Sequence, residues 1–104
     1  MKVKVSKKLY IGENAHKDHR KIIKNVKKSK LQFNVFLIIM SDDENGLVEI
    51  YPSYIFLHPH FKKTEISIVG ISKGYNEAVE LVKVMTEECY NECGNVNLKS
   101  YFEF

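Results

Sequence analysis

Arginine is nearly missing from this chain: of its sixteen basic residues, only Arg20 is not lysine. Guanidinium forks are the side chains best suited to bidentate reading of phosphates and carboxylates, so a recognition surface built on such forks is excluded. Cysteine is equally scarce. The two residues, Cys89 and Cys93, lie four apart, which argues against a disulfide scaffold and for a reducing compartment. Long apolar runs are lacking too. The longest, Val35 to Met40, is far short of the ~20 residues that a membrane helix needs. The start, Met1-Lys-Val-Lys-Val-Ser-Lys-Lys8, carries charge without an apolar stretch of signal-peptide length. A cytoplasmic location with no membrane partner is therefore expected. Phosphate-loop spacing is absent, as is any local signature of a nucleophile with its base and orienting acid. The expectation is a non-enzymatic protein without a cofactor.

What the chain does have is segregated charge. Residues 1–30 carry eleven basic and two acidic side chains, 11 − 2 = +9, and the other seventy-four carry five and eleven, 5 − 11 = −6. A split of this size marks a basic surface that meets something negative, which the whole-chain value of +3 hides. Codon usage accounts for part of the lysine: Lys, Ile and Asn have AT-rich codons, and the chain also holds ten Ile and eight Asn. With 104 residues, 44% of them hydrophobic and 28% charged, residues 1–104 read as one globular domain.

Periodicity gives the elements. Val3 and Val5 alternate with Lys2 and Lys4, a weak edge-strand signal. Gly12-Glu13-Asn14 reads as a turn into a helix over Ala15 to Lys30, capped by Asn14. Ala15, Ile22, Ile23 and Val26 share one arc of that helix, opposite Lys17, Arg20, Lys21, Lys24, Lys27 and Lys28. Phe33 to Met40, unbroken in its apolar character from Val35 on, reads as a strand buried on both faces. Asn45-Gly46 is a hairpin signal before a second strand over Leu47 to Leu57, where Pro52 implies an edge or a bulge. A loop over His58 to Lys63 and a third strand over Thr64 to Ser72 follow. A second helix spans Asn76 to Cys93, capped by Asn76, with Cys89 and Cys93 in its apolar arc and Gly94 to stop it. Val96, Leu98, Phe102 and Phe104 then alternate with Lys99, Tyr101 and Glu103 as a half-buried final strand.

The fold class is α+β: an antiparallel sheet of three to five strands with two helices, in the order (β)-α-β-β-β-α-β. Short loops between three successive strands favour a meander. Were both helices on one face, the other would expose a large apolar patch, since both sets of alternate residues from Phe33 to Met40 are largely hydrophobic. A homodimer through that face is expected on this ground.

The basic helix is the leading functional candidate. Its six cations match a phosphate track, which makes nucleic acid the alternative to a general binding or assembly module with a protein partner. A solvated face, or pairing with the acidic second helix, would explain the same stripe. The first helix sums to 7 − 1 = +6 and the second to 1 − 5 = −4. The aromatics from Tyr51 to Phe61 suit a core or an interface, or the stacking of bases. His16 and His19 on the first helix, with the His58-Pro-His60 loop, are candidates for a small metal-binding or hydrolytic protein, though their spacing fits no zinc pattern. His19 falls in the apolar arc and is expected to be buried and hydrogen-bonded.

The element order α-β-β-β-α resembles that of the double-stranded-RNA-binding domain. That family reads phosphates with lysines at the start of its second helix, where this chain has only Lys73 in Ser72-Lys-Gly-Tyr-Asn-Glu77. Through Lys8-Leu-Tyr-Ile-Gly12, the basic helix, and Ile68-Val-Gly-Ile-Ser-Lys-Gly-Tyr-Asn-Glu-Ala-Val-Glu-Leu-Val82, the chain resembles short proteins of AT-rich Gram-positive bacteria. No activity is assigned to them. The resemblance implies a complete small bacterial protein.

Overall fold

The computed structural model describes residues 2–41 and 46–102. Strands β1 (Lys2–Ile11), β2 (Val35–Met40), β3 (Val48–Pro52) and β4 (Glu65–Lys73) form one sheet in the order β1-β4-β2-β3. Helices α1 (His19–Lys27), α2 (Tyr75–Cys93) and α3 (Leu98–Phe102) complete the α+β fold, with 3-10 segments at Glu13–Asp18, Ser53–Leu57 and Pro59–Phe61.

The sheet is mixed, not a meander. β2 is antiparallel to both β3 and β4, while β1 runs parallel to β4. β3 and β4 therefore point the same way on either side of β2, and two such strands need a crossover connection. Residues 53–63 supply it. Their 3-10 segments carry Phe56 and Phe61 over one sheet face, where the second expected strand would have run on. That strand ends instead at Pro52, on the edge, where a missing backbone N–H costs no ladder bond. β1 is the other edge, as the sequence implied, but it continues past Val5 to Ile11 through an irregularity in its pairing with β4.

The two main helices lie on opposite faces. Ala15, Ile22 and Val26 pack with Leu37, Ile39, Ile68 and Ile71, whereas Ala78, Met85 and Cys89 pack with Ile38, Met40 and Val69. Strand β2 alternates between these two cores along its length, so its apolar residues are consumed within one subunit. The bare sheet face that called for a homodimer does not exist.

The final segment is a helix, not a strand. Leu98, Tyr101 and Phe102 are buried together against the α2 face, the i, i+3, i+4 pattern of a helical stripe. The predicted outer residue Tyr101 is thus inside. Its hydroxyl lies 2.8 Å from that of Tyr10, which donates to Glu88 at 3.1 Å, and the Phe102 ring meets Tyr10 edge-on at 5.8 Å. Burial and these two neighbours push the Tyr10 phenol well above its ordinary pKa. Phe104, expected in that strand, and Asn45 of the hairpin signal lie outside the described residues.

Helix ends follow different chemistry from the caps expected. Gly94 stops α2 in the left-handed region at φ 72°, its N–H donating to Tyr90 O at 2.8 Å, as its position implied. Asn76 does not cap α2; Gly74 does, without a side-chain bond. Nor does Asn14 cap a helix. Its backbone N–H and side-chain amide donate to Glu77 at 3.2 and 2.8 Å, and the Lys73 N–H donates to the same carboxylate at 3.1 Å. Glu77 thereby ties the turn after β1 to the start of α2. A Cβ at Gly12 would collide with that carboxylate, so a side chain there would push Glu77 out of these bonds.

The two cysteines part company. Cys89 is fully buried, with Sγ 3.4 Å from Asn95 O, but Cys93 is exposed one turn on. Burial, then the neighbouring Cys93, pushes the Cys89 thiol up, which disfavours the reactive thiolate. Native protein titrated with a chromogenic disulfide at pH 8 is expected to release one thiol equivalent quickly and the second only on unfolding. Two equivalents at one fast rate would contradict this packing.

Candidate nucleic-acid interface

The basic face begins in the 3-10 turn Glu13–Asp18, which seats the fully buried Ala15 beneath it, and continues along α1. With Ile22 and Val26 turned into the core, helical geometry leaves the opposite arc to solvent. Lys17, Arg20, Lys21, Lys24, Lys27 and Lys28 are all exposed. Lys24 and Lys27 sit in the last helical turn, where the helix dipole favours cations. The helix proper is shorter than Ala15 to Lys30. Ser29 takes φ 54° and turns the chain back, and its N–H donates to Val26 O at 3.1 Å.

Ion pairing sorts the lysines of residues 1–30 into two kinds. On β1, Lys4 pairs with Glu65 at 2.9 Å, and Lys8 lies 3.8 Å from Glu92 with its ammonium 4.2 Å from the centre of the Tyr101 ring. These cations serve the fold. None of the six on the helical face has a carboxylate within 4 Å among the described residues. Asp18, the acid that interrupts the run from Lys17 to Lys28, is taken by Lys73 at 2.7 Å, and this hydrogen-bonded ammonium holds the Asp18 carboxyl below its ordinary pKa.

Lys73, the lysine just before α2, is thereby spent on Asp18. The acidic helix α2 packs on the other side of the sheet. Among the described residues no ion pair joins α1 to α2.

A return segment runs beside α1. Lys30 N–H donates to Asn25 O at 2.9 Å, and the Gln32 side chain donates to Ile22 O at 3.2 Å. Gln32 O in turn accepts from the Ser53 hydroxyl at 3.4 Å, which brings the 3-10 segment Ser53–Leu57 alongside. Leu31, Phe33, Tyr54 and Leu57 on these two segments are exposed. Phe33, read from sequence as the start of a buried strand, lies outside β2.

The histidines do not gather. His16, His58 and His60 are exposed, and half-buried His19 donates its Nδ1 proton to His16 O at 2.7 Å. Among the described residues, no group of three or more His, Cys, Asp or Glu side chains is placed to hold a metal ion. No described helix is long and apolar enough to cross a membrane.

One concavity escaped sequence reasoning. β4 pairs with β2 only from Ile68 onward, so the two strands part at the other end. The cleft of about 340 Å³ that opens there is walled by Phe56, Phe61, Glu49, Tyr51 and Glu65. Both carboxylates are engaged internally, Glu65 by Lys4 and Glu49 by the Tyr51 hydroxyl. The cleft therefore offers less free charge than the α1 face. Its signal in the sequence was the aromatic run from Tyr51 to Phe61, but only the crossover of residues 53–63 turns that run into a wall.

Comparison with known protein families, with curated proteins and with solved structures finds no match to this chain.

Proposed function

We propose that the chain is a small cytoplasmic binding module whose α1 face contacts the phosphates of a nucleic acid. One observation carries the reading: six exposed cations lie along one helix face without an ion-pair partner among the described residues, the intervening Asp18 is already paired with Lys73, and the acidic helix lies beyond the sheet. Lysines on such a face act as mobile point charges. They favour the phosphate backbone over base edges, so binding is weakly dependent on sequence.

Fluorescence anisotropy with labelled oligonucleotides across a salt series tests this. Contact with about four to six phosphates gives a slope of log K against log salt of roughly −3 to −5. No binding at low salt, or binding without salt dependence, would return the basic face to solubility.

A second reading, assembly of copies, draws on the same segregation of charge. The acidic α2 face of one copy complements the basic α1 face of the next, a heterologous contact that stacks subunits head to tail. Light scattering then shows a mass above one subunit that falls as salt is raised. A single-subunit mass in 50 mM salt would sink it.

A further inference from the structure

We infer that the nucleic acid taken by the α1 face is single-stranded, its bases stacking on Phe33 and Tyr54; this rests on the reading proposed above. Phe33 is 84% exposed and Tyr54 59%. A phenyl ring left in water forgoes about 1.5–3 kcal/mol that burial would provide, so covering it with the flat face of a base would be favourable. The two rings are carried by adjoining segments, joined by the bond from the Ser53 hydroxyl to Gln32 O at 3.4 Å.

The lysines border the same place. Asn25 touches the return segment twice, accepting from Lys30 N–H and donating to Gln32 Oε1 at 3.4 Å. Lys21 and Lys28 lie one helical turn on either side of Asn25, on the same side of α1. Two of the six cations thus lie on the side of α1 that the return segment approaches, and exposed Phe33 and Tyr54 are carried by that segment and its neighbour. A duplex offers its phosphates to the lysines but keeps its bases stacked inside. A single strand offers phosphates to the lysines and free base faces to the rings, the combination used by sequence-tolerant single-strand binders. A protein or lipid partner would need no base faces, so the competitors below separate these classes.

Anisotropy with a labelled 15-nucleotide deoxythymidine strand, and with a duplex of equal length, decides the matter. The wild type is expected to bind the single strand at least tenfold more tightly. Phe33→Ala and Tyr54→Ala, both at exposed positions, are each expected to weaken single-strand binding about tenfold, within the range for loss of one base stack, and to leave the salt slope and duplex binding unchanged. Val96→Ala, an exposed apolar position after α2, serves as the control and is expected to change nothing.

Equal affinity for both oligonucleotides, or aromatic variants that bind the single strand like wild type, would overturn the inference while the phosphate reading stands. Failure to bind either oligonucleotide at low salt would overturn both. Competition by anionic vesicles or heparin as strong as by the unlabelled strand would overturn the inference as well, because neither offers a base to stack.

Discussion

Exchanging Lys17, Lys21, Lys24 and Lys28 together for Gln is expected to weaken nucleic-acid binding on the order of a thousandfold at 50 mM salt. The magnitude follows from counterion release. Each phosphate neutralised on a single strand contributes about −0.7 to the salt slope, so removing four cations flattens that slope by about 3. What remains of the six, Arg20 and Lys27, supports a slope near −1 by the same rule. The fold should be indifferent. All four side chains are exposed and none forms an ion pair among the described residues, so the far-ultraviolet circular dichroism and the melting temperature should stay close to those of the wild type. The contrasting control is Lys4→Gln with Lys8→Gln. These lysines sit in internal pairs on β1, so their loss should disturb binding far less. If the four-residue variant keeps its affinity and slope, the α1 face is not the interface.

Truncating Phe102 to Ala is expected to cost about 3 kcal/mol of stability, at the lower end for large buried aromatics. For a domain of this size that lowers the melting point by about 15 °C. Phe102 is 6% exposed and lies against Tyr10 and Tyr101. Both a helix and a strand would bury it, so the neighbouring residue is the sharper test. In a strand Tyr101 would face solvent and tolerate Ala. In the helix observed it is 6% exposed and bonded to the Tyr10 hydroxyl, and Tyr101→Ala should lower the melting point nearly as far. A Tyr101→Ala protein that melts with the wild type would restore the strand.

The helix and strand alternatives for residues 96–104 show where periodicity runs out. Leu98 and Phe102 are four apart, a spacing that suits period 2 and period 3.6 alike, and only the position of Tyr101 separates them. Nothing local told Tyr101 to turn inward. Its partners, Tyr10 and Lys8, come from the far end of the sequence. The expected cap of the first helix failed for a related reason. Asn14 has the right chemistry for a cap, but Glu77 draws it into a bond across the fold, and no window along the chain contains both.

Local pattern by itself determined the strands β2 and β4, the edge position of β1, an edge or a bulge at Pro52, the stop at Gly94, and the solvent arc of α1. Each depends on neighbours within a few residues, where side-chain direction is set by backbone period. It also determined that β2 would be buried on both faces. Tertiary structure alone decided what covers those faces. One helix on each side removed the need for a second subunit and set the basic and acidic helices on opposite faces. It decided which lysines of the basic N-terminal third are occupied, too, since Glu65, Glu92 and Tyr101 reach Lys4 and Lys8 only through the parallel pairing of β1 with β4 and the docking of α2 and α3. Charge counted along a chain is a sum over residues. Charge free to meet a partner depends on which side chains folding has already paired, and that is a property of the packed molecule.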